Sequence, residues 1–75
     1  MTPARAIAAA LASHGLTTQA SQARAIGETP DAWNHYLQGR REPGAKKVQA
    51  WLDACAEAGA AVVLHWGQHG VSVML

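Results

Sequence analysis

The chain has 75 residues and a formal net charge of +1, with 49% hydrophobic residues, no Phe, three Trp and one Tyr. That length fits one small domain whose own core is marginal, and it leaves no room to enclose a substrate pocket of ordinary size. The near-neutral balance excludes a global basic field, and the lone Cys55 excludes an internal disulfide framework.

The elements are expected in the following order. Thr2-Pro3 is a cap followed by a proline suited to the first helical position, so helix 1 is expected from about Pro3 to His14, closed by Gly15. Ile7, Ala10 and Leu11 form a narrow apolar stripe, with Leu16 beneath it. Helix 2 is expected from about Thr18 to Ile26, ending at Gly27, a residue that turns a chain sharply through positive φ. Thr29-Pro30-Asp31 starts helix 3: a cap, a proline at the first position and an acid at the positive end of the dipole. Helix 3 is expected over Pro30 to Gln38, with Trp33, Tyr36 and Leu37 inward and Asp31, Asn34, His35 and Gln38 outward, and it stops at Gly39. Helix 4, about Ala45 to Ala58 with Gly59 as its stop, sets Val48, Trp51, Leu52 and Cys55 on one apolar face. Cys55 is therefore read as a buried, inert thiol.

After Gly59 the apolar period changes from helical to alternating. Residues 61–66 and 71–75 around Gly67-Gln68-His69-Gly70 read as a β-hairpin. Trp66 would face Val71 and Leu64 would face Val73. Val62, Leu64, Trp66, Val71, Val73 and Leu75 then share one face, while Val63, His65, Ser72 and Met74 share the other. A two-stranded ribbon with exposed edges is marginal alone, and a second copy of the chain is the simplest cover.

Two short helices joined by a glycine-centred turn, about residues 18–39, form a helix-turn-helix whose second helix is offered to the DNA major groove. The stretch resembles the lambda-repressor-like family, the Cro/CI-type helix-turn-helix proteins. The matching residues are Gln19, Ala23 and Gly27, then Thr29-Pro30, Trp33, Leu37 and Gly39-Arg40-Arg41-Glu42-Pro43. Ala23 must be small where the second helix crosses, and Trp33 with Leu37 anchors that helix to the core. Gln22 and Glu28 depart from the pattern, standing where the family usually has apolar residues. The resemblance spans roughly Ala4 to Gly59. It implies a fold that is mainly α, a four-helix domain with a C-terminal hairpin (α+β overall), in which C-terminal strands join subunits.

The outward residues of helix 3 suit base reading. Asn34 and Gln38 can pair bidentately with adenine, Asp31 can accept from cytosine N4, and His35 can donate to guanine. Arg40, Arg41, Lys46 and Lys47 are four of the six basic residues, crowded into eight positions, and are expected to contact phosphates. Thr18 and Gln19 lie where members of that family clamp a phosphate at a helix start. Arg24 either reaches phosphate or pairs with Glu28, its i+4 neighbour. His65, His69 and Cys55 match no closed zinc pattern, so no metal is expected. No paired carboxylates or phosphate-cradling glycine loop point to catalysis, and no cofactor is expected.

The expectation is one domain over 1–75, with a helical DNA-binding region at 3–59 and a dimerising hairpin at 60–75. It would act as a cytoplasmic homodimeric repressor on a palindromic double-stranded operator, with no membrane segment and no small-molecule ligand. The expected dimer interface is Val62, Val63, Leu64, Trp66, Val71, Val73, Met74 and Leu75. Two alternatives are an antitoxin-like autoregulator that binds a toxin through the hairpin, and a protein-interaction module that has lost DNA binding.

Overall fold

The structure is a computed structural model that describes residues 2–60, 63–67 and 70–74, with side chains described as far as Ala60. The described residues are mainly helical: α1 (Pro3–Ser13), α2 (Gln19–Ile26), α3 (Pro30–Leu37) and α4 (Ala45–Glu57). Expected helix ends differ from these by a single residue, because His14, Thr18, Gln38 and Ala58 are caps and not helical residues. Thr2, Thr18 and Thr29 each accept a hydrogen bond from the backbone N–H three residues on, which satisfies an amide that has no partner inside its helix.

The α2–α3 turn depends on Gly27. Its φ of +77° is left-handed, and this lets the Glu28 N–H donate to the Ala23 carbonyl at 2.9 Å, closing α2. Gly39 ends α3 in the same way, with the Arg40 N–H donating to the His35 carbonyl at 2.9 Å. Each glycine reverses the chain within two residues, so α2 packs against α3, α1 and α4, while α3 meets α1 and touches α4 through Trp33 and Tyr36 against Trp51.

One core joins all four helices. It contains Ala4, Ile7, Ala10, Leu11, Ala23, Ile26, Trp33, Tyr36, Val48, Trp51, Cys55 and Ala60. Trp33 and Trp51 are almost wholly buried and meet edge to face, with ring centroids 5.1 Å apart. Tyr36 meets Trp51 in the same manner at 4.9 Å. Burying an indole removes about 150–250 Å² from water, worth about 4–6 kcal/mol as an upper figure. No alanine approaches that, so the aromatic trio sets the packing.

A buried indole also carries an N–H that needs an acceptor. The Trp33 Nε1 donates to Gln22 Oε1 at 3.0 Å, and Gln22 Nε2 donates onward to the Leu16 carbonyl at 2.9 Å. The Trp51 Nε1 donates to Glu28 Oε1 at 3.1 Å. Gln22 and Glu28 are thus the acceptors that the two tryptophans require. Among the described residues no buried side-chain nitrogen or oxygen lacks a partner.

Beyond Ala60, the backbone of β1 (Val63–Gly67) pairs antiparallel with β2 (Gly70–Met74), with Leu64 opposite Val73 and Trp66 opposite Val71. The β2 backbone runs beside α1. The side chains expected at the dimer interface, Val62, Val63, Leu64, Trp66, Val71, Val73, Met74 and Leu75, lie outside the described residues, as do those of His65 and His69.

Gln22→Leu keeps the volume but leaves the Trp33 N–H without an acceptor, so it should cost about 1–3 kcal/mol. In a Trp33→Phe background the same change should cost much less, because no N–H remains to be satisfied. Denaturant unfolding of the four proteins in this cycle measures the coupling; equal costs in both backgrounds would remove the bond from the stability of the fold.

Candidate functional site

The two faces of α3 are set by its core contacts. Trp33 and Tyr36 are buried and Leu37 is half-buried, so one side of the helix is fixed to α2 and α4. Of the four residues expected to face outward, Asp31 and Gln38 are exposed. Asn34 and His35 are half-buried, a departure from the fully outward placement. Asn34 owes its partial cover to its neighbours: Gln38 Nε2 donates to Asn34 Oδ1 at 3.1 Å, and both line a cleft at the α1 side of α3. The two amides therefore act as one hydrogen-bonding unit, with the Asn34 donors and the Gln38 acceptor still available.

That cleft has a volume of about 440 Å³ and is lined by Arg5, Ala8, Gln19, Asn34, Leu37 and Gln38. It brings together three of the expected site residues, Gln19, Asn34 and Gln38. Asp31 and His35 are not part of its lining. No carboxylate lines it either. Thr18 is engaged elsewhere: its hydroxyl accepts from the Ser21 N–H at 3.1 Å and donates to Ser21 Oγ at 2.9 Å. Its side chain caps α2, with the exposed Gln19 side chain next to it at that helix start.

The basic cluster divides into three environments. Arg40 and Lys46 are exposed. Arg41 lies over the Tyr36 ring, 5.6 Å from its centroid, and lines a separate cavity of about 260 Å³ with Thr2, Pro3, Ala4, Gly39, Glu42 and Pro43. A guanidinium drawn against an aromatic face keeps its charge but loses reach. Lys47 departs from expectation: its Nζ sits 3.0 Å from Glu28 Oε1, the oxygen that also takes the Trp51 N–H. The hydrogen bond to Glu28 and the Glu28 charge hold the Lys47 ammonium above its ordinary value. The adjacent carboxylate pairs with Lys47 while its side chain remains exposed, so its charge is partly offset at the surface. The alternative Arg24–Glu28 pair is not formed.

Arg5 was not among the expected site residues. Its Nε donates to the Leu37 carbonyl at 3.0 Å, tying α1 to the last turn of α3. The signal for it was faint but physical. Arg5 is the only charged residue in α1 and stands in the first turn, where the helix dipole disfavours a cation. A residue placed against its own dipole calls for a partner elsewhere.

Cys55 is fully buried, and burial pushes its thiol above the ordinary value. Among the described residues no helix is long and apolar enough to cross a membrane. No family model, characterised protein or solved structure matches the chain. The site is therefore read from its own chemistry.

Raised folded-state values at Cys55 and Lys47 have the same sign for stability. Each contribution is complete below the unfolded value, 9.0 for the thiol and 10.5 for the ammonium, and is lost as pH rises through the folded value. Stability should hold level from neutral pH to about 9 and then fall, first through the thiol. Cys55→Ala should lower the plateau by opening a small void yet delay the fall. Thermal midpoints from pH 7 to 11 provide the check.

Proposed function

We propose that the chain is a sequence-specific DNA-binding regulator of the lambda-repressor-like, Cro type, acting as a homodimeric repressor that occupies its operator. The observation that carries this reading is the Asn34–Gln38 amide pair beside Gln19, in a cleft without acids, on a helix whose opposite side is locked by Trp33 and Tyr36. A rigid helix presenting paired amides suits base-edge recognition, where a donor and an acceptor together match the N7 and N6 groups of adenine. Asp31 extends that face toward the start of α3, and His35 adds to it in the last turn. Arg40, Lys46 and the Gln19 end of α2 supply phosphate contacts, Arg41 a shorter-reaching one and Lys47 the least, given its partner Glu28.

A single unit of this size reads only a few base pairs. Two copies about 34 Å apart, one turn of DNA, double the contacts, and the C-terminal hairpin is the element proposed to hold them with the same patch on both subunits. The interface runs through Val62, Val63, Leu64, Trp66, Val71, Val73, Met74 and Leu75. The Lys47–Glu28 pair favours one other reading, a protein-interaction module without DNA affinity, because it partly offsets charge in the basic cluster. Duplex binding that falls with salt separates the two.

Selection of bound duplexes from a random library should give a palindromic consensus. On that site Asn34→Ala and Gln38→Ala should each cost about 1–3 kcal/mol, and little on random sequence. Arg40→Ala or Lys46→Ala should weaken all duplexes alike, each flattening the slope of log K against log salt by about 0.9. Titrations at several salt concentrations measure both effects, and amide variants with full discrimination would move the reading face elsewhere.

Deleting residues 71–75 should leave the four helices formed, produce monomers and collapse operator binding while weak non-specific binding persists. Sedimentation of the truncated chain beside a binding titration decides the assembly; a truncated dimer with full operator affinity would refute the hairpin interface.

A further inference from the structure

We propose that Arg5 is a phosphate-binding residue of this surface: its guanidinium, anchored at the end of α3, receives a backbone phosphate of duplex DNA in the cleft between α1, the start of α2 and α3. The inference rests on the DNA-binding reading above and extends it to a residue on a different helix.

Three observations lead to it. Arg5 sits in the first turn of α1, at the positive end of that dipole, and no other charge in the helix compensates it. The side chain instead crosses to α3, where its Nε donates to the Leu37 carbonyl at 3.0 Å, at the negative end of that helix. This bond uses one of the five guanidinium donors and holds the group at the end of α3, leaving four donors unspent on Leu37.

The cleft itself supplies the second argument. Its lining is Arg5, Ala8, Gln19, Asn34, Leu37 and Gln38: one cation, three neutral amides that can donate, and no carboxylate. A fixed cation among neutral donors suits an anion, and a planar fork matches phosphate oxygens better than a point charge does.

The third is placement. Arg5 shares the cleft with Asn34 and Gln38, so a phosphate held there sits beside the amides proposed to read bases. Phosphate contacts set the register in which base contacts are made. Arg5 also holds the α3 carbonyl, so its grip joins the position of the DNA backbone to the position of the reading helix. A purely structural Arg5 would need only the Leu37 bond and would leave the salt dependence of binding untouched.

The experiment uses the full chain with its selected duplex and a random duplex, titrated from low to high salt. Arg5→Ala should flatten the slope of log K against log salt by about 0.9 on both duplexes. Arg5→Gln, which retains an amide donor for the Leu37 carbonyl but no charge, should flatten it equally, and Arg5→Lys should restore it. Restoration by charge is a readout that loss of a helix contact does not produce, and helical content by circular dichroism confirms that each variant is folded. A wild-type slope in both Arg5→Ala and Arg5→Gln would overturn the assignment. Inorganic phosphate that shifts the Arg5 Nε resonance while those slopes stay at wild type would assign the cleft to a free anion and overturn it as well. If the wild-type chain binds no duplex in a salt-dependent way, the DNA-binding reading itself fails, a result distinct from either of these.

Discussion

Everything in this small core depends on finding acceptors for two buried indole N–H groups. Without phenylalanine, the core of the described helices gets its bulk from Trp33, Trp51 and Tyr36, stacked edge to face where α3 meets α4 beside α2. An indole left without an acceptor would lose about 1–3 kcal/mol, a large fraction of what a domain of this length has to spare. Gln22 and Glu28 meet that need, and they flank Gly27 on either side. The bonds that complete the core therefore also fix the angle at which α3 leaves α2. Gln22 extends the constraint by donating to the Leu16 carbonyl, which ties the α1–α2 connection to the same network.

The same arrangement decides the surface. With Trp33 and Tyr36 held inward, Asn34 and Gln38 fall beside Gln19, and Arg5 closes the group from α1. Electrostatics is apportioned by core contacts as well. Glu28 serves Trp51 and Lys47 with one oxygen, so a half-buried residue that completes the core also pairs a cation of the exposed cluster. Tyr36 does something similar to Arg41 through its ring face. Surface charge here cannot be counted from sequence as a sum of independent groups.

Helix spans, caps and the side of each helix that turns inward were legible along the chain. Thr2, Thr18 and Thr29 cap within three residues, Gly27 and Gly39 reverse the chain within two, and the apolar spacing of α3 and α4 picks out Trp33, Tyr36, Val48, Trp51 and Cys55. Where a residue's behaviour depended on its partner, the sequence was a poor guide. Gln22 and Glu28 read as polar intruders at apolar positions, the Glu28 partner of Lys47 was not foreseen, and Arg5 drew no notice.

The physical reason is range. Capping, turn geometry and helical periodicity act over a few residues, and the sequence by itself determined four helices, their inward faces and a turn that sets α3 after α2. The Trp33–Gln22, Trp51–Glu28 and Arg5–Leu37 hydrogen bonds join positions 11, 23 and 32 apart, and each forms only after the helices have packed at a particular angle. Tertiary structure alone decided those pairings, because a hydrogen bond of about 3 Å is lost by a shift that local sequence preferences do not register. It thereby decided which polar residues are consumed by the core and which remain for a partner.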